Sequence, residues 1–420
     1  MIARTPPPTY LDARGLRRFK ATERASYCLV DMKNGAAESV SPPPQQVTFQ
    51  SFADKVEDFD FCAMKPGNGI LFERLGLSLY RPPDGEIELA PVAVDAPPTL
   101  RRPARIRLIP HIGATQTSVI GGAVTGEWAL EKTGVLDTPF TGSGIKVCVI
   151  DTGIDIFHPD LRHVDSDHRR SFVGDLTAHD TRGHGTRCAG IIAGPMNPAH
   201  EPRYSVAPGV ELFVARVFGG IEPCIVRLIA ALEWAVSKGC DVVSMSLGND
   251  ASGADQPISA ELEMAAAAAL RAGTVIVAGS GNNSNRAAGN VSPVNHPASC
   301  PSIIAVGAIE KDLTVANYSN APEEDDQPEV DIAAPGTARS ATKGGGYETK
   351  SGTSIATPFV AGIAALYAEA CPQARGEKLL DLVLSKAQRL DNQKQLDVGA
   401  GLVFAPRRGD ANLCVPTPTN

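Results

Sequence analysis

Four short segments of this 420-residue chain carry side chains whose types and settings suit nucleophilic chemistry. The apolar run IKVCVI (145–150) ends in Asp151-Thr152-Gly153. A carboxylate at the end of a buried strand is costly unless it is hydrogen-bonded or paired, although the capping of a turn would also account for it. In GHGTRCAGIIAG (183–194), His184 lies between two glycines, just ahead of a small-residue helical pattern. Those glycines suit close approach of backbone or substrate, and a histidine held for structure alone is the competing reading. In SGTSIATPFVAGIAAL (351–366), Ser354 sits where an apolar helix begins, with Pro358 about one turn in. A nucleophile there gains from the positive end of the helix, and its own N–H can face a developing oxyanion; a plain N-cap serine would look the same. In VIVAGSGNNSN (275–285), Asn282 follows a strand and a Gly-Ser-Gly run, so its amide is either a second oxyanion donor or a turn residue.

The surrounding pattern supplies the scaffold. ELFVARVF (211–218), DVVSMSL (241–247), TVIVAG (274–279) and SIIAVGAI (302–309) read as further buried strands. CIVRLIAALEWAVSKG (224–239), ELEMAAAAALRAG (261–273) and SIATPFVAGIAALYAEA (354–370) read as helices. Near-continuous apolar strands separated by helices predict an α/β fold with a mostly parallel central sheet covered on both faces. Functional groups of such folds collect at the carboxyl ends of the strands, where the four polar segments fall.

Composition narrows the class. A net charge of −8 gives no electrostatic footprint for nucleic acid or an anionic membrane. No apolar stretch reads as a bilayer span, and no apolar core follows the N-terminal arginines, so the expectation is a cytoplasmic chain, with non-classical export as the alternative. Nine cysteines without CxxC spacing read as buried free thiols, a few disulfides being the alternative.

Asp-Thr-Gly after a strand, His-Gly-Thr opening a helix, and Gly-Thr-Ser-x-Ala-x-Pro at a later helix, in the order Asp, His, Ser, resemble the subtilisin family of serine proteases. The resemblance runs over residues 112–406 and continues through SMSLG (244–248), VDIAAPG (330–336) and DVGAGLVFA (397–405). It implies a three-layer subtilisin-like domain with Asp151, His184 and Ser354 as the triad, and Asn282 with the Ser354 N–H as the oxyanion hole. It further implies that Ser246, Leu247 and Gly248 pair with extended substrate, that Gly219 and Gly220 form the opposite rim, and that Gly279, Ser280 and Gly281 wall an S1 pocket with Asn295 at its base. A broad or uncharged P1 preference is expected. No cofactor is needed for the chemistry; structural calcium is implied at Asp160, with a second cation site at Glu329 and Asp331. The acidic run Glu323-Glu324-Asp325-Asp326 and the stretch HPDLRHVDSDHRR (158–170) read as solvated loops.

Ahead of that domain, residues 1–45 read as a flexible segment, 46–95 as a small α+β unit with a short helix in FADKVEDF, and 96–111 as a Pro/Arg-rich linker. Residues 407–420 read as a tail. The small unit is expected to be a propeptide that blocks the cleft from within the same chain, or an accessory domain that is never removed. A protein or peptide substrate is the expected partner. An active endopeptidase in protein or peptide processing is the leading expectation; a latent zymogen and a peptide-binding pseudoprotease are the alternatives.

Overall fold

In a computed structural model, the described residues are 10–11, 17–18, 46–48, 69–72, 74–80, 88–91, 107–108, 112–113, 127–173, 177–219, 225–248, 259–322, 329–410 and 412–416. The expected helix in FADKVEDF and the acidic run 323–326 lie outside them.

Seven parallel strands form the central sheet: β9 (Lys146–Asp151), β10 (Arg169–Ser171), β11 (Glu211–Arg216), β12 (Val242–Met245), β14 (Val275–Gly279), β15 (Ile304–Ile309) and β16 (Ile332–Pro335), in the order β10-β11-β9-β12-β14-β15-β16. Their alternation divides the core in two. Val147 and Val149 of β9, Leu212 and Val214 of β11, and Val275 and Val277 of β14 face one layer. Cys148 and Ile150, Phe213 and Ala215, and Ile276 and Ala278 face the other. The first layer holds α1 (Glu127–Lys132), α2 (His184–Ala193), α5 (Thr353–Ala370) and α6 (Glu377–Ser385). The second holds α3 (Ile225–Ser237) and α4 (Ala260–Arg271). A last short helix, α7 (Gln395–Val398), lies beside β16. Strands buried on both faces must be apolar throughout, which is why these runs lack a polar alternation.

Helix α5 is long and apolar enough to cross a membrane, yet it is the buried centre of the first layer, packed on α2, α6 and β12, β14, β15 and β16. Its apolar character is that of a helix surrounded on all sides by protein. Strands β17 (Thr337–Thr342) and β18 (Gly346–Ser351) form an antiparallel hairpin leading into it.

The N-terminal part contributes a short antiparallel pair, β1 (Tyr10–Leu11) with β2 (Arg17–Arg18), within the range read as flexible. It also contributes a four-stranded sheet, β3 (Gln46–Thr48), β4 (Gly69–Phe72), β5 (Leu77–Tyr80) and β6 (Glu88–Pro91), in that order. Phe72, Leu75 and Leu77 are buried in the same apolar cluster as α3 and α4. Beside them the buried Glu233 carboxylate of α3 accepts the N–H of Arg74 at 2.8 Å and of Leu75 at 2.9 Å. The stretch read as a linker ends in structure. There β7 (Arg107–Leu108) pairs antiparallel with β13 (Leu247–Gly248), and β8 (Ile112–Gly113) pairs antiparallel with the end of β18.

The thiols divide. Cys148, Cys188, Cys240 and Cys300 are free and buried, as expected, whereas Cys371, directly after α5, forms a disulfide with Cys414 across a Cα separation of 5.5 Å. The free-thiol reading fails for this pair because the chain beyond 406 folds back onto the end of α5.

Candidate active site

Asp151 is the last residue of β9, His184 the first of α2, and Ser354 lies in the first turn of α5. All three sit at the carboxyl edge of the sheet, and their exposures are 0%, 5% and 0%. His184 Nδ1 lies 2.8 Å from Asp151 Oδ1 and 2.9 Å from Oδ2. Oδ1 also accepts the Thr152 N–H at 2.7 Å, and Thr152 Oγ1 accepts the Gly185 N–H at 2.8 Å, which ties the strand end to the histidine helix. Gly185 is required there, because a Cβ would stand 2.2 Å from the Gly153 carbonyl oxygen.

The glycine at the N-cap of α2 offers no side chain to its first turn. Asp180 does this instead. Its Oδ1 accepts the N–H groups of Arg182 and Gly183 at 2.9 and 2.8 Å, and its Oδ2 accepts the N–H and hydroxyl of Thr186 at 2.9 and 2.6 Å. Four donors hold this buried carboxylate, and its charge faces the positive end of the helix.

Burial pushes the His184 pKa down, the Asp151 carboxylate and, after it, Cys188 push it up, and the imidazole ends well above its ordinary value of 6.5. Burial also raises the pKa of Cys188, one helical turn away, so that thiol stays protonated. Its Sγ lies 3.8 Å from His184 Nδ1 and 3.6 Å from the Ser354 carbonyl oxygen.

Asn282 follows β14 through Gly279, Ser280 and Gly281. Its Oδ1 accepts the N–H and hydroxyl of Thr353 at 2.9 and 3.0 Å, which turns Nδ2 toward the serine. Gly352, with φ of 149°, keeps the space between them open. A Cβ there would stand 2.9 Å from Ser354 Oγ and 3.0 Å from Asn282 Nδ2. Nucleophile and amide donor therefore flank one gap, the arrangement that stabilises an oxyanion.

The expected S1 residues also converge. Asn295 is 4% exposed, and its N–H bonds the Ser280 carbonyl at 2.8 Å. A Cβ on Gly281 would stand 2.5 Å from Asn295 Nδ2, and one on Gly248 3.2 Å from Asn295 Cβ. Asn283 and Asn320 complete a ring of amides. Asn295 Nδ2 donates to Asn283 Oδ1 at 3.2 Å and Asn320 Nδ2 donates to Asn295 Oδ1 at 3.2 Å. Ser246 and Leu247 run beside Ser354, with the Ser246 hydroxyl donating to the Ser354 carbonyl at 3.0 Å. The Gly219 carbonyl accepts from Arg182 Nη2 at 3.1 Å, near the start of the histidine helix; Gly220 lies outside the described residues. Sequence reasoning missed Thr152, Asp180, Cys188, Asn283, Asn320 and Thr353. Asp180 was within reach, since an acidic residue three positions ahead of a glycine-initiated helix is a capping signal.

The residues at Asp160 do not fit calcium. Its Oδ2 accepts the phenol hydroxyls of Tyr204 and Tyr347, each at 2.7 Å. Burial and that carboxylate raise the pKa of both phenols, so each presents a proton where a hard cation wants lone pairs. Asp331 accepts the Ala305 N–H at 2.9 Å, a bond between strand ends. Among the described residues, neither it, Glu329 nor Asp160 joins a cluster of three acidic, histidine or cysteine ligands. Asp165, Asp167 and His168 do converge, at the surface, where His168 stacks on Phe213 and lies 3.3 Å from Glu211.

The Subtilase family profile matches residues 142–401. Over 268 residues, 63% of this chain, the sequence is 36% identical to subtilisin E of Bacillus subtilis (strain 168), and over 269 residues it is 37% identical to alkaline elastase YaB of Bacillus sp. (strain YaB). The matched stretch spans 65% of the length of each of these two relatives, and 90% of a subtilisin from Bacillus pumilus, 36% identical. Among solved structures, a cold adapted subtilisin-like serine proteinase superposes with a TM-score of 0.54 at 28% identity, covering 66% of this chain and 97% of that one. Fold, site geometry and sequence agree that this chain belongs to the subtilase family, peptidase family S8.

Proposed function

We propose that this chain is a serine endopeptidase that hydrolyses peptide bonds through an acyl-enzyme. The observation that carries the reading is the joint placement of His184 Nδ1 on the Asp151 carboxylate and of Ser354 Oγ and Asn282 Nδ2 on either side of Gly352. With Nδ1–H donated to Asp151, His184 Nε2 carries the lone pair and takes the Ser354 proton as Oγ adds to the scissile carbonyl. The oxyanion is met by Asn282 Nδ2 and the Ser354 N–H. The imidazolium gives its proton to the leaving amine. Water then attacks the ester by the same route, which releases the acid and restores Ser354.

Substrate lies extended along Leu247–Gly248, where main-chain bonds supply affinity. Asn295, its amide held within the ring of asparagines, fills the S1 base, which favours small uncharged P1 side chains. Processing of particular proteins, rather than bulk digestion, is the role we assign. Latency is favoured by a specific observation. β7 lies on Leu247–Gly248 and β8 on Lys350–Ser351, either side of Ser354, so the chain's own segment holds both strands that substrate would use. The docking of Phe72, Leu75 and Leu77 and the Glu233 bonds support the same reading. We therefore take the segment through residue 113 as an intramolecular inhibitor.

The test is fluorophosphonate labelling and intact mass of the wild type beside Ser354→Ala. Labelling of wild type alone, either as the full-length chain or after limited proteolysis has removed the N-terminal region, supports the peptidase, and its absence from both folded forms refutes it. Loss of the N-terminal region from wild type alone marks self-processing, whereas a stable full-length chain marks latency.

A further inference from the structure

Helix α5 contains a proline in its second turn. In an α-helix the N–H of residue 358 would bond the carbonyl of residue 354, four positions earlier. Residue 358 is Pro358 and has no N–H, so the carbonyl that loses its helical donor is that of the nucleophile itself. A buried carbonyl without a partner is costly, and here the partners come from outside the helix. Ser246 Oγ donates to it at 3.0 Å from the turn between β12 and β13. Cys188 Sγ donates to it at 3.6 Å from α2. The thiol has one proton, which goes to this carbonyl, while its sulfur lone pairs lie 3.8 Å from His184 Nδ1.

We propose that the Ser246 hydroxyl and the Cys188 thiol are positioning residues for catalysis, replacing the helical hydrogen bond that Pro358 deletes and fixing the Ser354 peptide against the histidine helix and the substrate strand. The same residue supplies Oγ and an oxyanion N–H, so anchoring its carbonyl restrains the backbone about the Cα that carries both. A helical N–H would tie that carbonyl only to its own helix. Donors from α2 and the β12–β13 turn tie it instead to the elements that carry His184 and the substrate. The Ser246 side chain thus acts on the reaction from the side of its residue turned away from substrate.

The inference rests on the serine peptidase reading, and one experiment separates the two. The rate constant at saturating fluorophosphonate and the half-saturating concentration are measured on the full-length chain. Wild type, Ser246→Ala, Pro358→Ala and the double variant are compared, with melting temperatures to establish folding. Ser246→Ala is expected to lower the saturating rate about tenfold, since small misplacements of reacting groups cost up to about 10², and to leave half-saturation within about twofold. Pro358→Ala restores the N–H, so in its background the Ser246→Ala loss should shrink to about twofold or less. Should Ser246→Ala fail to fold, Cys188→Ala is the second variant, with a loss of about threefold from a weaker donor that Pro358→Ala likewise removes. Wild type that labels alongside an equally fast Ser246→Ala overturns this inference alone. So does an undiminished loss in the Pro358→Ala background. Wild type that labels neither as the full-length chain nor after limited proteolysis has removed the N-terminal region overturns the peptidase reading and this inference with it.

Discussion

Replacing Gly352 with alanine tests the oxyanion geometry from its empty side. The added Cβ would stand 2.9 Å from Ser354 Oγ and 3.0 Å from Asn282 Nδ2, inside the contact distance of both. Both atoms are held, Oγ by the first turn of a buried helix and Nδ2 through two bonds from Thr353 to Asn282 Oδ1. The methyl group therefore crowds the space that the tetrahedral oxygen must enter. Losing one oxyanion donor costs about 10²–10³ in rate, or about 2.7–4 kcal/mol, and Gly352→Ala should lose at least that. Backbone strain adds to it. A φ of 149° suits glycine, and a side chain there costs about 1–3 kcal/mol. At about 2–4 °C per kcal/mol for a body of this size, the melting temperature should fall by on the order of 5 °C. The assay is the saturating fluorophosphonate rate, with thermal melts, for wild type, Gly352→Ala, Asn282→Ala and the double variant. Because both changes remove the same stabilisation, their losses should not multiply. Gly352→Ala labelling within about threefold of wild type, against the ~10² loss expected from a missing donor, would refute the argument.

Three further outcomes follow from the site. His184 must be neutral to accept the Ser354 proton, and its pKa is raised, so kcat/KM should climb with pH through a midpoint above 6.5; Asp151→Asn should move that midpoint down and cut kcat by about 10⁴, and an unmoved midpoint in a pH profile would exclude Asp151 as the cause. Asn295→Gly should empty the S1 base and raise kcat/KM for aromatic over small P1 residues by about 10–200-fold on a peptide panel; an unchanged ranking would place the pocket elsewhere. Chelation by EDTA should leave the melting temperature unchanged, while Tyr204→Phe, which takes one hydroxyl from the Asp160 carboxylate, should cost about 1.5–3 kcal/mol in denaturant unfolding; a large EDTA shift would reinstate a structural cation.

The grouping of Asp151, His184 and Ser354 was legible because each sits in a local motif at an element boundary: Asp151 closes an apolar strand, His184 opens a helix between glycines, and Ser354 lies in the first turn of a long apolar helix. The three-layer architecture was legible for the same reason, since doubly buried strands announce themselves as unbroken apolar runs. What stayed hidden depends on contacts between distant residues. Asp160 looked like a cation ligand because its partners, Tyr204 and Tyr347, lie 44 and 187 positions away. The Ser354 carbonyl meets Ser246 and Cys188 across separations of 108 and 166. A two-residue strand such as β7 carries no periodicity, so a stretch that binds the body of the protein read as a linker. The Cys371–Cys414 bond was equally unreadable, because nine cysteines in irregular spacing name no pairs.

The placement of α5 has a dynamic consequence. Fraying and loop opening are cheap where few apolar contacts must break, and the N-terminus of a helix is ordinarily such a place. Here residues 353–368 of α5 are all buried, and the helix contacts five strands of the sheet and two neighbouring helices. Helix α5 is therefore expected to belong to the most slowly exchanging part of the described structure. Deuterium uptake at the amides of residues 359–368, in the interior of this helix, should track global unfolding, so on heating, nucleophile reactivity and overall structure should vanish together in one transition.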